Sequence, residues 1–159
     1  MKRTIILLLL ALLCVASAQE HKNETKGFAL TPAEGWTVKA DEQAFGTNLT
    51  VKAPGEDPYS PSIQVAVWPG ERTIKDYYEQ QKTTLQGTAQ NLTYEDAELG
   101  GKKAGSFSYT VKDSLKTRSV YLPANGMMYV VSHTARLKEF DKYADEFKQM
   151  YGSFKVLTK

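Results

Sequence analysis

Apolar and polar residues alternate with a period of two along most of this chain, the spacing of strands with one face on a core. Phe28 and Leu30 alternate with smaller residues, and Thr31-Pro32-Ala33-Glu34-Gly35 reads as a turn. Trp36, Val38 and Ala40 then share one strand face, and Phe45, Thr47, Leu49 and Val51 follow in phase after a polar break. These three short runs predict an antiparallel meander. Residues 54–61 hold Pro54, Pro58 and Pro61, which no central strand accepts, and read as a loop. Ile63, Val65 and Val67 give another alternation, closed by Trp68-Pro69-Gly70.

The period then changes. Thr73 followed by Asp76 resembles a capping box, and the helix it opens carries Ile74, Tyr77, Tyr78 and Leu85, with Gly87 near its end. Strands return at Leu92–Leu99, interrupted by Glu95, Asp96 and Glu98. After Gly100-Gly101, the residues Gly105, Phe107, Tyr109 and Val111 face away from Ala104, Ser106, Ser108 and Thr110. Leu115–Leu122 leads through Asn125-Gly126, a hairpin signal, into Met127–Thr134. Leu137, Phe140, Ala144, Phe147 and Tyr151 recur at helical steps, with Gly152 placed as a left-handed cap and 153–156 extended. Each large apolar side chain on that helix contributes about 1.5–3 kcal/mol when fully buried. Ordering each backbone unit costs about 1–2 kcal/mol, so the helix needs a sheet beneath it. Strands, helix, strands, helix predicts α+β with an antiparallel sheet, not a doubly wound parallel one.

Residues 1–18 stand apart from this pattern. Lys2 and Arg3 precede an apolar run, Ile5–Leu13, and Ala16-Ser17-Ala18 supplies the small residues of a cleavage site, so Gln19 is the expected mature start. Of 159 residues, removal of 18 leaves 141, enough for one domain over 27–159 behind a flexible polar lead-in at 19–26. Cleavage takes Lys2 and Arg3 and no acid, leaving 18 basic against 18 acidic residues. That neutrality gives no support to nucleic-acid binding or to adhesion at an anionic membrane. No later apolar run is long enough to span a bilayer. Cys14, the single cysteine, lies in the leader; Leu13 before it disfavours an acylated lipoprotein start. The mature chain then has no disulfide and relies on its core, in a secreted or periplasmic setting. Asn23, Asn48 and Asn91 open glycosylation triplets, which matter only in a eukaryotic secretory route.

The catalytic inventory is thin. His133 is the only histidine of the folded region, and Ser132 beside it points to the opposite face of its strand; a histidine closing an exposed strand end is the ordinary reading. Glu56 with Asp57, and Glu95, Asp96 with Glu98, offer oxygens to a hard cation but lack a calcium-loop pattern and read as solvated. No phosphate loop or nucleophile elbow is present. Catalytic, cofactor and metal residues are therefore assigned as none. Tyr59 and Trp68 near the proline-rich loop, and Tyr121 and Tyr129 on adjacent strands, are candidates for a contact patch. The strand tyrosines are expected to fill the sheet under a helix. Tyr59 sits on a proline-stiffened loop suited to binding.

Three segments carry a family resemblance. Gly27-Phe28-Ala29-Leu30-Thr31-Pro32, closed by Gly35-Trp36, resembles the opening of PsbP-like domains. Gly100-Gly101-Lys102-Lys103-Ala104 is similar to the turn they carry before a central strand. A Tyr129-centred strand, then Phe140, Tyr143 and Phe147, then Ser153-Phe154-Lys155-Val156, resembles their end. The resemblance spans 27–156 and implies a PsbP/Mog-like α/β/α sandwich. Relatives include extrinsic photosystem subunits, a Ran-binding group and bacterial envelope proteins of the DcrB type, so the fold does not choose a function. The expected function is a non-enzymatic binding or accessory module with an envelope protein partner. The alternative is a small-ligand or metal-ion carrier with a pocket between sheet and helix.

Overall fold

The computed structural model describes residues 18–41, 46–70 and 72–158. The leader up to Ser17, with Cys14, and Phe45 of the third predicted strand lie outside them. The elements in chain order are β1 (His21–Asn23), β2 (Phe28–Leu30), β3 (Thr37–Ala40), β4 (Thr47–Lys52), β5 (Ser62–Pro69), α1 (Ile74–Leu85) and β6 (Ala89–Leu99). Then come β7 (Lys102–Val111), β8 (Leu115–Ala124), β9 (Met127–Arg136), a 3₁₀ turn (Phe140–Tyr143), α2 (Ala144–Ser153) and β10 (Lys155–Val156).

Seven strands form one antiparallel sheet in the order β3-β4-β5-β9-β8-β7-β6. The alternation sorts its side chains to two faces. Ile63, Val65, Val67, Val120, Leu122, Tyr129 and Val131 meet Phe147, Met150 and Tyr151 of α2. Phe107, Tyr121, Met128 and Val130 meet Tyr77, Tyr78 and Leu85 of α1. The helices therefore cover opposite faces, and the chain is an α/β/α sandwich. Asn125 and Gly126 turn β8 into β9 with φ of 52° and 72°, the paired left-handed residues of a tight hairpin. Among the described residues, no helix is long and apolar enough to cross a membrane.

The first predicted strand is not part of a meander with the next two. β2 leaves the large sheet and pairs with β1 on one side and β10 on the other. Phe28, Ala29 and Leu30 are all fully buried, so both faces of β2 are covered and strict alternation breaks down. Within the segment read as a flexible lead-in, His21–Asn23 is therefore a paired strand, and Asn23 is buried.

The final helix is also shorter than its periodicity implies. Leu137 lies outside it, 46% exposed, because its backbone N–H is held by the Ser114 carbonyl at 2.9 Å. The chain crosses from β9 through that contact, makes the 3₁₀ turn, and becomes α-helical only at Ala144. Gly152 is not a left-handed cap; it lies inside α2, and the helix stops where Phe154 becomes extended at φ −62°, ψ 135°. Ser153 fastens this end, its hydroxyl accepting from the Thr31 N–H at 3.0 Å and lying 2.8 Å from the Met150 carbonyl. Thr73 caps α1 as expected, accepting from the Asp76 N–H at 3.1 Å.

Candidate functional site

Alternation in β8 places Arg118 on the same face as Val120 and Leu122, the face that α2 covers. Alternation in β9 sends His133 to that face with Tyr129 and Val131, while Ser132 points away and bonds Ser119 at 2.7 Å. His133 and Ser132 are thus separated, as their adjacency on a strand requires. His133 is not an exposed strand end, however. It is 4% exposed, stacked on Phe147 at 4.0 Å between centroids and 4.6 Å from Phe140. The strand continues to Arg136, and α2 and the 3₁₀ turn close over it.

Tyr151 of α2 brings its hydroxyl 2.5 Å from His133 Nδ1, and 3.3 and 3.4 Å from the Arg118 and Val131 carbonyls, with one proton to give among the three. Burial, followed by the nearby Arg118 and Lys116 charges, pushes the His133 pKa down to about 3, so the ring is neutral near pH 7. Burial also raises the Tyr151 hydroxyl above its ordinary value, keeping it protonated.

Beside this pair, a cleft of about 560 Å³ opens between the sheet and α2. Its walls include Arg118, His133, Phe140, Ala144, Phe147 and Tyr151. Arg118 keeps 33% of its side chain exposed; Nη2 donates to Ser106 Oγ at 3.3 Å and lies 3.7 Å from Glu95 Oε2. Its Nε is enclosed and has no acceptor among the described residues. An enclosed donor left unpaired costs about 1–3 kcal/mol, so the guanidinium is under-satisfied where it stands.

A second feature lies at the loop 54–61. Arg136 Nη2 meets Asp57 Oδ2 at 3.0 Å and Oδ1 at 3.3 Å, and Asp57 Oδ1 accepts from the Tyr59 N–H at 2.8 Å. The Tyr59 amide first, and then Arg136, hold the Asp57 carboxyl below the usual carboxylate range. Tyr59 is 54% exposed, with the Arg136 guanidinium carbon 5.3 Å from its ring centroid.

The other sequence candidates scatter. Tyr121 is buried under Tyr77 of α1, whereas Tyr129 is buried on the opposite face with its hydroxyl 3.2 Å from the Gly27 carbonyl; both fill the sheet, and they share no patch. Trp68 is 39% exposed at the end of β5. Glu56 is exposed, and on the edge strand β6 Glu95 points to the face of α2 while Asp96 and Glu98 point to the other. Among the described residues, no group of three or more His, Cys, Asp or Glu side chains could share a metal ion. Asn23 and Asn48 are fully buried, while Asn91 is exposed. Arg118 and Tyr151 are the polar residues the sequence reading missed. A charge in phase with Val120 and Leu122 was the available signal for Arg118. Tyr151 was counted only as an apolar helix residue.

No protein-family model and no curated protein sequence matches this chain. Solved structures do. PsbP of the cyanobacterium Synechocystis sp. PCC 6803 (CyanoP) superposes with a TM-score of 0.66 at 18% identity, covering 91% of this chain and 95% of that one. LpqN of Mycobacterium tuberculosis, described as involved in cell envelope biogenesis, gives 0.57 at 16% identity, over 82% of this chain and 83% of that one. A mutant of Mog1 gives 0.55 at 11% identity, over 89% and 96%. At these identities the likeness establishes architecture. The chain has the PsbP/Mog-like α+β fold.

Proposed function

We propose that this protein is a non-enzymatic binding module that works through contacts with a protein partner, outside the cytoplasm. The observation that carries the reading is the presentation of Tyr59. Its ring is more than half exposed, yet its loop is held by the Asp57–Arg136 ion pair and by Ser60, whose hydroxyl donates to the Asp57 carbonyl at 2.7 Å. A stiff loop carrying an exposed aromatic beside an arginine loses little conformational entropy on binding, and Tyr and Arg are the residues that most often anchor protein interfaces. Leu137, next to Arg136, adds exposed apolar surface. The leader-like residues 1–18 support a secreted or periplasmic location. The envelope role given for LpqN is consistent with that setting. His133 supports the non-enzymatic reading, since it is enclosed by rings with Nδ1 engaged by Tyr151. Replacing residues 54–61 with a glycine-serine loop should leave the far-UV and thermal transitions in place and abolish partner binding. Retained binding would refute the surface.

The cleft beneath α2 favours a second reading, a carrier of a small ligand. Its volume of about 560 Å³ falls within the range of roughly 300–1,000 Å³ typical of small-molecule sites.

A further inference from the structure

We propose that the cleft between the sheet and α2 takes a small organic monocarboxylate, its oxygens on the Arg118 guanidinium and its apolar body against Phe140, Ala144 and Phe147. This rests on the carrier reading and names its ligand chemistry. Three observations converge on it.

The first is the state of Arg118. A guanidinium on the buried face of a central strand is expected to be saturated by partners. Here Nε has no acceptor among the described residues, Ser106 Oγ is at the long end of hydrogen-bond range at 3.3 Å, and Glu95 is an exposed carboxylate 3.7 Å away. A planar carboxylate matches the guanidinium fork and supplies the missing acceptors.

The second is the field at the floor. The two charges that bear on His133 are both cationic, Arg118 and Lys116, and Lys116 Nζ stands 4.3 Å from the Phe140 ring centroid. His133 and Tyr151 are both neutral there and add no competing charge. Farther out, Lys148 lines the wall together with Asp141, and Glu95 stands 3.7 Å from Arg118 Nη2. Repulsion from the Glu95 and Asp141 carboxylates is about twice as strong for a phosphate with two charges as for a monoanion. The balance therefore selects a single carboxylate.

The third is the wall opposite. Phe140, Phe147 and the His133 ring cluster there, with His133 stacked on Phe147 at 4.0 Å and tilted by 33° to Phe140 at 4.6 Å. Together with the exposed Ala144 they give the cleft an apolar edge for a short alkyl or aryl group.

The test titrates the purified ¹⁵N-labelled protein with benzoate and hexanoate, with benzamide and hexanamide as neutral isosteres, and with inorganic phosphate. The proposal expects saturable shifts for the carboxylates at amides around Arg118, His133, Phe140 and Phe147, with the amides binding about tenfold or more weakly, since a charged hydrogen-bond pair is lost. Arg118→Gln should abolish that preference, and Arg118→Lys should restore it in part. Should Arg118→Gln fail to fold, Ala144→Phe decides instead: it fills the mouth with Arg118 intact and should remove carboxylate binding. Amides binding as tightly as acids would overturn the carboxylate assignment while leaving the carrier reading standing. Tighter binding of phosphate would overturn it too. No saturable shift at the cleft with any probe would overturn both.

Discussion

The hydroxyl of Tyr151 and the imidazole of His133, 18 positions apart in the chain, meet at 2.5 Å and tie α2 to the middle of the sheet. The burial of that imidazole shapes the protein's response to acid. The unfolded imidazole binds its proton near the ordinary value of 6.5, and the folded one only near 3. Between those values the unfolded state holds the additional proton, so stability is full above about pH 6.5 and declines as pH falls toward 3. The slope attributable to this group approaches about 1.4 kcal/mol per pH unit in the middle of that window. Urea unfolding at several pH values, compared with His133→Phe, measures it. The variant should lose most of the slope above about pH 5.5, where ordinary carboxylates are still largely ionised; an unchanged slope would assign the acid response elsewhere.

Removing the hydroxyl tests the same contact from the helix side. Tyr151→Phe should cost about 1–2 kcal/mol, because His133 Nδ1 loses its buried hydroxyl partner while the ring packing is kept. Chemical denaturation measures the loss. A neutral substitution would mean that the hydroxyl contributes no net stability.

Gly100 explains one of the sequence motifs. Its φ is +57°, its N–H donates to the Tyr151 carbonyl at 3.0 Å, and a Cβ there would lie 2.0 Å from the Phe154 carbonyl oxygen. The β6–β7 turn therefore packs directly on the end of α2. Gly100→Ala should destabilise by about 3 kcal/mol or more, and hydrogen exchange should accelerate selectively at α2 and β10. Gly101, with φ +72° and open space around it, should tolerate alanine at a cost of about 1 kcal/mol.

Gly105 does the corresponding work on the other face. A Cβ there would lie 2.2 Å from Ile74 Cγ2, so the start of α1 rests on the bare backbone of β7. Gly105→Ala should destabilise by about 1–3 kcal/mol. Combined with Ile74→Ala, which removes the clashing methyl, the double variant should lose less than the sum of the two single changes. Strict additivity in that cycle would exclude the contact as the cause.

Much of the sandwich was legible because one-sided strands and helices write their burial as periodicity. The runs at 63–67, 105–111 and 127–134 became β5, β7 and β9, and Thr73 capped α1. What escaped was set by contacts distant in sequence. β2 pairs with β1 and β10, and Ala29–Lys155 registration is invisible in local pattern. Leu137 fits a helical period, but the Ser114 carbonyl holds it out of the helix. The site was less legible. His133 looked like a strand terminus because the residues that enclose it, Phe140, Phe147 and Tyr151, return only after a turn. Arg118 carried a signal in its phase, whereas its unpaired Nε is a property of the assembled structure. Tyr59 was marked by its prolines, but the Arg136 ion pair that fixes its loop spans 79 positions.

The most direct test of the proposed function is site-specific photo-cross-linking in cells, with a photoreactive phenylalanine analogue replacing Tyr59 in the full chain and, as a control, replacing exposed Tyr94 on β6. The account predicts one dominant protein adduct from position 59, absent from position 94, and lost when Asp57→Ala and Arg136→Ala release the loop. No adduct at position 59, or the same adducts from both positions regardless of the loop, would contradict it.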